Sequence, residues 1–406
     1  MTVVPLTSNT IHLRDFHGAW GDLPTYELPS KCAVLANSQY EAACAVKSHL
    51  IDGGEVLLAP LARADQSQRE DLRSEGFSLV TGLGTKLARV HPPSGEGSYR
   101  DGRLWLLTSG TSGRPKMVAH TLGSLLTVHS PQPARKWLCP YAPGSYAWWQ
   151  IVTLSIFHAG VAIVFIDEDG LDSWPDVAIR ESVDSVSGTP TFWRHALWRN
   201  SSALRELRLS QVTLGGEPVD QVLLDNLRRA LPQARVSWIY ASSEAGASIA
   251  VHDGMAGFPA SWLNRIQAGR PRLSVVDDEL VIRSGRAAED QPEEQRTGDR
   301  VEVRDGRVFI VGRLGSDEVN VGGTKISASR VRETILRHPS VRWAAVRGRS
   351  APIVGQVVVA DVVTDGTLGV AELKSWCSRR LPEHGVPRRI NLLGQIPMKG
   401  SLKSDV

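Results

Sequence analysis

Short apolar runs that stop at small polar residues constrain the fold of this chain more than any other feature. Cys32–Asn37, Val56–Ala59, Leu104–Leu107, Val161–Ile166, Val212–Leu214 and Val236–Tyr240 have strand length and strand composition. Several of them run into polar or glycine-bearing loops: Asn37-Ser38, Thr108–Gly113, Asp167–Asp172, Gly215-Gly216-Glu217 and Ala241-Ser242-Ser243-Glu244. Helical segments at Gln39–Leu50 and Asp220–Leu231 fall between the runs, and another helix is expected to begin within His120–Val128. Ser185–Ser187 leads to a turn at Gly188-Thr189-Pro190. Strands alternating with helices predict an α/β fold built on parallel sheets. In open α/β sheets ligands bind outside the carboxyl ends of the strands, where these loops lie.

The texture changes after about residue 272. Leu273–Val276, Glu279–Arg283, Arg300–Val303 and Val308–Val311 read as a small antiparallel β piece. Beyond Gly312–Ser316, a helix at Ser329–His338, strands at Val341–Val346 and Gln356–Val363 and a helix at Val370–Leu381 make a compact α+β unit. We therefore expect a large N-terminal domain over 1–311 and a small mobile domain over 312–406, with a hinge near 312–318. A chain of 406 residues accommodates this.

Composition narrows the function. The formal net charge of +3 comes without a block of like charge, which argues against a nucleic-acid or membrane-surface partner. The four cysteines contain no C-x-x-C pair, so neither a zinc ribbon nor a disulfide framework is expected. No signal-like or membrane-length apolar segment stands out, and a cytoplasmic location is expected.

Within this frame Ser109-Gly110-Thr111-Ser112-Gly113-Arg114-Pro115-Lys116 has the composition of a phosphate cradle. Glycines admit an anion close to backbone N–H groups, hydroxyls add donors, and the lysine adds charge. It is neither a Walker loop nor a dinucleotide fingerprint. The competing reading is a Ser/Gly hairpin turn.

Further segments complete a pattern. They are Gly215-Gly216-Glu217-Pro218, Tyr240-Ala241-Ser242-Ser243-Glu244, Thr297-Gly298-Asp299, Gly312-Arg313, Asn320–Ile326, and Pro397 with Lys403 six residues on. In this order they resemble the motifs of the acyl-adenylate-forming superfamily: acyl- and aryl-CoA ligases, stand-alone adenylation enzymes and luciferases. The resemblance spans about three hundred residues. It implies that a carboxylate attacks the α-phosphorus of ATP, giving an acyl-AMP and pyrophosphate. By resemblance, Ser109, Gly110, Thr111, Ser112, Gly113 and Lys116 hold the phosphates, and Glu244 with Thr111 positions Mg²⁺. Tyr240 stacks on the adenine beside Gly215, Gly216 and Glu217, with Ala241, Ser242 and Ser243 in the same wall. Asp299 accepts from the ribose hydroxyls, Arg313 lies near the ribose, and Lys403 reaches the α-phosphate. Lysine is scarce at nine residues, and Lys116, Lys325, Lys399 and Lys403 all fall in or near these motifs. Lys399 competes with Lys403 but has the wrong spacing from Pro397.

The chain departs from the pattern at three places. Ala241 stands for the usual glycine, Ser243 for the usual threonine, and Leu402 for the glycine before the catalytic lysine. About 105 residues precede the strand of the phosphate loop, so the N-terminal part is expected to be trimmed. Tyr146, Ala147, Trp149, His120 and Ala241 are the candidate acid pocket, with Trp193 as a further candidate. Tyr146, Trp149 and Trp193 also suit an ordinary core, and His120 a structural histidine. Ala147 stands where an aspartate would pair an α-ammonium, and a buried unpaired ammonium is costly, which disfavours α-amino acids. Gly322, Gly323 and Lys325 would border a tunnel for a pantetheine thiol. The expected activity is that of an acid:CoA ligase for a small or aromatic carboxylic acid, using ATP, Mg²⁺ and coenzyme A. The alternatives are discharge of the acyl-AMP onto a carrier protein or an amine, and a non-catalytic nucleotide-binding homologue.

Overall fold

A computed structural model describes residues 8–404 except 98, 109–114, 286, 290, 316, 352–354 and 401. Among these residues the chain forms four sheets. The first has six strands in the order Arg89–His91, Ser78–Thr81, Lys31–Ala36, Glu55–Pro60, Leu104–Thr108 and Lys116–His120. Its four inner strands are parallel and the two outer ones antiparallel. The second has eight strands, ordered Gly246–Val251, Arg235–Ser242, Gln211–Gly215, Ser185–Gly188, Arg135–Cys139, Val161–Phe165, Thr10–Leu13 and Phe16–Ala19. Six of these run parallel, from Arg235–Ser242 to Thr10–Leu13. The expected α/β class is thus the observed one.

Helix Gln39–Asp52 illustrates how sequence sets these layers. Ser38 caps it by accepting from Glu41 N at 3.3 Å, and Gly53 ends it at φ 75°. Its face Ala42–Val46 is buried. Gln39 Nε2 donates to the carbonyls of Tyr141 and Ile166, tying the helix start to loops of the eight-stranded sheet.

The third sheet is antiparallel, ordered Phe258–Pro259, Arg307–Arg313, Glu294–Arg304, Glu279–Arg283 and Arg272–Val276. The fourth joins Thr324–Ser327, Glu318–Val321, Gly355–Thr364 and Val341–Ala351, with Arg389–Leu392 parallel to Gly355–Thr364. Among the described residues four apolar clusters result, and two of them are the main cores. One fills the first three sheets and their helices, and the other packs Val331, Ile335, Leu373 and Cys377 onto the fourth sheet. Leu402 belongs to the first core although its chain neighbours at Ile390 and Ile396 do not.

One local expectation holds in shortened form and one needs correction. Lys116–His120 is a strand paired antiparallel with Leu104–Thr108, and only Leu122–Leu125 after it is helical. Met117, Val118 and Ala119 give this strand a continuous apolar run. Pro190 does not close a turn but starts the helix Pro190–Arg199, with Thr189 Oγ1 accepting from Phe192 N at 3.1 Å. Proline suits the first helical position because its missing N–H is unpaired there in any case.

Candidate active site

The loops that matter gather at the carboxyl ends of the parallel strands. Gln211–Gly215 delivers Gly215-Gly216-Glu217, and Arg235–Ser242 delivers Tyr240 and Ala241. A register shift between Tyr240 and Ala241 turns the strand at this point.

Tyr240 Oη donates to Asp299 Oδ2 at 2.5 Å, and Arg313 Nε lies 3.1 Å from Asp299 Oδ1. Asp299 and Arg313 are also direct partners across the antiparallel strands. Asp299 N donates to Thr297 Oγ1, and the preceding Gly298 N donates to Glu279 Oε1 at 2.7 Å. Burial raises the Asp299 carboxyl above its usual range, against the opposing pull of Tyr240 and Arg313. Burial, then Asp299, pushes the Tyr240 phenol upward, so the tyrosine remains a donor at neutral pH.

Lys403 enters the same region from the far end of the chain. A Cβ added to Gly216 would lie 3.2 Å from Lys403 Cε and 3.8 Å from Nζ, so the bare glycine makes the slot for the lysine. Three contacts hold the tail. Thr189 Oγ1 donates to the Leu402 carbonyl, Ser404 N donates to Glu217 Oε1 at 2.9 Å, and Leu402 is fully buried. Glu217 also accepts from Thr191 N at 2.9 Å and Thr191 Oγ1 at 3.0 Å, so its carboxylate brackets the tail. Lys399 lies in the same loop: its backbone N–H donates to the Lys403 carbonyl, and its own carbonyl accepts from Leu402 N. Gly400 presses on Arg63 and Glu168, where any Cβ would collide. Leu402 adopts φ 62°, the left-handed conformation. That costs a non-glycine residue about 1–2 kcal/mol, and burying a leucine side chain contributes about 1.5–3 kcal/mol in return.

The remaining residues divide. His120 is fully buried, with Nε2 2.7 Å from the Ser243 carbonyl and Nδ1 2.9 Å from Ser124 Oγ. Burial lowers its pKa. Its ring centroid is 5.9 Å from that of Tyr146, whose Oη accepts from Ala247 N at 2.8 Å. His120, Tyr146 and Ser243 therefore share one neighbourhood. Trp149 is buried in the core, 5.0 Å centroid to centroid from Trp148, and its Nε1 has no partner among the described residues. Trp193 is likewise core, donating to the Thr213 carbonyl. Ala147 is half-buried. Ser242 Oγ accepts from Ala245 N at 2.9 Å and shapes the turn before Glu244. Glu244 is half-buried, and its carbonyl accepts from Ala288 N and Gln295 Nε2. Its carboxylate has no hydrogen bond or ion pair with a described residue, an arrangement that suits a hard cation.

Lys116 opens its strand at the base of the loop Ser109–Gly113, and the loop itself, Thr111 included, lies outside the described residues. Gly322 and Gly323 form the hairpin turn between Glu318–Val321 and Thr324–Ser327, and Lys325 Nζ meets Glu318 Oε2 at 2.7 Å. No hydrogen bond or ion pair joins this hairpin to Gly216, Tyr240, Asp299 or Lys403. Near the expected hinge, Asp317 is buried and accepts from Ser327 Oγ, Ser329 N and Ser329 Oγ. Gly312 leaves no room for a Cβ beside it. Sequence reasoning gave no role to Thr189, Thr191, Arg63 or Glu168. The Thr-Pro pair at 189–190 carried a helix-cap signal, but nothing local marked its hydroxyl as a partner for residue 402.

Known proteins with this pattern are numerous. The family model described as AMP-binding enzyme matches residues 31–289, and the model of the AMP-binding enzyme C-terminal domain matches 331–403. The isonitrile lipopeptide synthase of Streptomyces coeruleorubidus is 24% identical over 94% of this chain, which spans about a quarter (27%) of that longer protein. The 2-succinylbenzoate–CoA ligase of Bacillus cytotoxicus is 25% identical over 76% of this chain and 69% of its own length. Among solved structures, E. coli MenE with bound OSB-AMS superimposes with a TM-score of 0.74 at 20% identity, covering 96% of this chain and 93% of that one.

Proposed function

Because the chain belongs to the AMP-binding enzyme family, we propose that it activates a carboxylic acid with ATP and passes the acyl group to a thiol. In the first step a carboxylate oxygen bonds to the α-phosphorus while the bond to the bridging β-phosphate oxygen breaks. The products are acyl-AMP and pyrophosphate. In the second a thiolate sulfur attacks the acyl carbon, the carbon–oxygen bond to the phosphate breaks, and AMP leaves. Coenzyme A is the thiol we favour, and a small or aromatic acid the substrate.

The observation that carries this reading is Lys403 in the Gly216 slot, within reach of the same strand ends that bear Tyr240. The transition state gathers negative charge on phosphoryl oxygens, and a lysine fixed beforehand stabilises that charge without reorganising. Asp299, already aligned by Tyr240 and Arg313, offers two acceptor oxygens suited to a vicinal diol. The Tyr240 ring would stack on the base, between the Gly215–Glu217 segment and the Ala241–Ser243 wall. Glu244 would hold Mg²⁺ together with Thr111, and the cation would neutralise charge on the leaving pyrophosphate. Ser109–Gly113 and Lys116 would bind the outer phosphates. His120 and Tyr146 would wall the acid pocket with Ala147 and Ala241, while Trp149 would act as packing behind it. Turning about residues 312–318 would exchange the Lys403 loop for the Gly322-Gly323-Lys325 hairpin, giving the thiol its approach.

The match to a lipopeptide synthase along 94% of the chain favours a second reading, in which the acyl group goes to a carrier-protein thiol or to an amine. One experiment separates the two. Acid-dependent AMP release is measured over aryl, short-chain and medium-chain acids, with and without coenzyme A, and products are identified by mass. Acyl-CoA supports the first reading. Acyl-AMP that persists despite coenzyme A supports the second. Absence of both AMP release and pyrophosphate–ATP exchange with every acid would overturn adenylation itself.

A further inference from the structure

A hairpin at the edge of the eight-stranded sheet carries two histidines directly opposite each other. His12 on Thr10–Leu13 pairs with His17 on Phe16–Ala19, so both imidazoles leave the same face. Their ring centroids are 3.8 Å apart at an interplanar angle of 73°. Glu181, the residue that ends helix Trp174–Arg180, brings one oxygen to both rings. Its Oε2 is 2.9 Å from His12 Nδ1 and 3.6 Å from His17 Nε2. All three potential ligand atoms lie within 4.8 Å of one another.

We propose that His12, His17 and Glu181 bind a divalent transition-metal ion of the zinc class, and that the ion staples the edge hairpin to the helix end. Two imidazole nitrogens and one carboxylate oxygen are a donor set zinc accepts, whereas Mg²⁺ and Ca²⁺ favour oxygen alone. Bonds of about 2.0–2.2 Å at tetrahedral angles place ligand atoms about 3.3 Å apart. The two measured separations to Glu181 Oε2 straddle that value, so small rotations of the rings complete the set. Arg180 Nε lies 3.2 Å from the other carboxylate oxygen, Oε1, and leaves Oε2 facing the histidines. A partner of this kind outside the ligand set orients a metal-binding carboxylate. His12 faces Lys136 as well as His17 and Glu181. His17 is 58% exposed and gives the ion an entry path and water a fourth position.

The role is structural. In strand order the hairpin stands at the opposite side of the sheet from Arg235–Ser242, which carries Tyr240. Among the described residues Phe16–Ala19 has one strand neighbour, and Glu181 is 169 residues away from His12 in sequence. A metal bridge between them closes a long loop around an edge that is otherwise held by one ladder. This inference is independent of the adenylation reading.

The test is titration of the whole chain with Co²⁺ as the probe, without nucleotide, followed by displacement with Zn²⁺. One equivalent is expected, with the visible bands of a tetrahedral nitrogen and oxygen site and no thiolate charge transfer. Saturating Zn²⁺ is expected to raise the melting temperature by several degrees, because it binds only the folded chain. His17→Ala and Glu181→Gln should each weaken binding by at least about tenfold and remove the thermal shift. His17 lies on an exposed edge, so the first variant should keep the parent far-UV circular dichroism. Failure to saturate, a thiolate band, or binding unaltered in both variants would overturn the site.

Discussion

The Tyr240–Asp299–Arg313 end and the Lys403 end of the candidate site are built on opposite principles. Tyr240, Asp299 and Arg313 sit on neighbouring β elements of one core, and the Asp299–Arg313 pair is also a strand partnership. Lys403 arrives from a chain segment whose upstream neighbours belong to another core, and it is held by one leucine, one threonine and one glutamate. The first arrangement is fixed whenever the sheets are folded. The second can be undone at the cost of one buried side chain, Leu402, of the first core. On the proposed reading such a cleft would keep its nucleotide grip while Lys403 comes and goes.

The largest break in this comparison is expected from Lys403→Ala. Pyrophosphate–ATP exchange should fall by about 10²–10³-fold, the usual cost of one preorganised charge-stabilising group. ATP binding by calorimetry should stay close to the parent value, and unchanged exchange would remove the lysine from the chemistry. Asp299→Ala should act at the other end. Losing a charge-assisted pair worth about 1.5–3 kcal/mol raises the ATP KM roughly ten- to a hundredfold. A pure kcat effect would contradict a ribose role.

Leu402→Ala sharpens the contrast between fixed and detachable parts. It removes a buried side chain worth about 2–5 kcal/mol, and the loss should fall on docking of the tail. Adenylation should drop by about tenfold or more, while transfer from supplied acyl-AMP to thiol is retained. An equal loss in both half-reactions would show that Leu402 merely supports the fold. Glu217→Gln should produce the same pattern more weakly, since the amide can still accept from Thr191 and Ser404.

The smallest effect concerns acid stability. His12, His49, His120, His195 and His252 all have pKa values lowered from 6.5, in each case chiefly by burial. Their unfolded forms bind protons first, so stability is complete above about 6.5 and is lost as pH falls below it. The melting temperature should decline from pH 7.5 to 5.5, and His120→Gln should flatten that decline.

The parallel strands were legible because apolar runs ended at glycine, serine and acidic residues. The hairpins Thr10–Ala19 and Leu104–His120 were less so, since pairing partners are not written in a strand's own composition. At the site, Tyr240, Asp299 and Arg313 could be named from motif order, but their mutual contacts came only with the third sheet. The tail was the least legible part. Leu402 reads as a departure from a glycine, and only the fold shows that its side chain reaches a distant core while its backbone keeps the left-handed conformation.

That placement bears on how the molecule melts. The two main apolar clusters draw on different parts of the chain, and Leu402 is a point where the chain of one is sealed inside the other. Unfolding the smaller unit drags its own terminus out of the larger, so Leu402 couples the two beside the packing of Trp198 on Trp343 and Ile396 and the Arg304–Glu333 ion pair. A ligand that grips Lys403 would tighten that coupling and merge two endotherms into one.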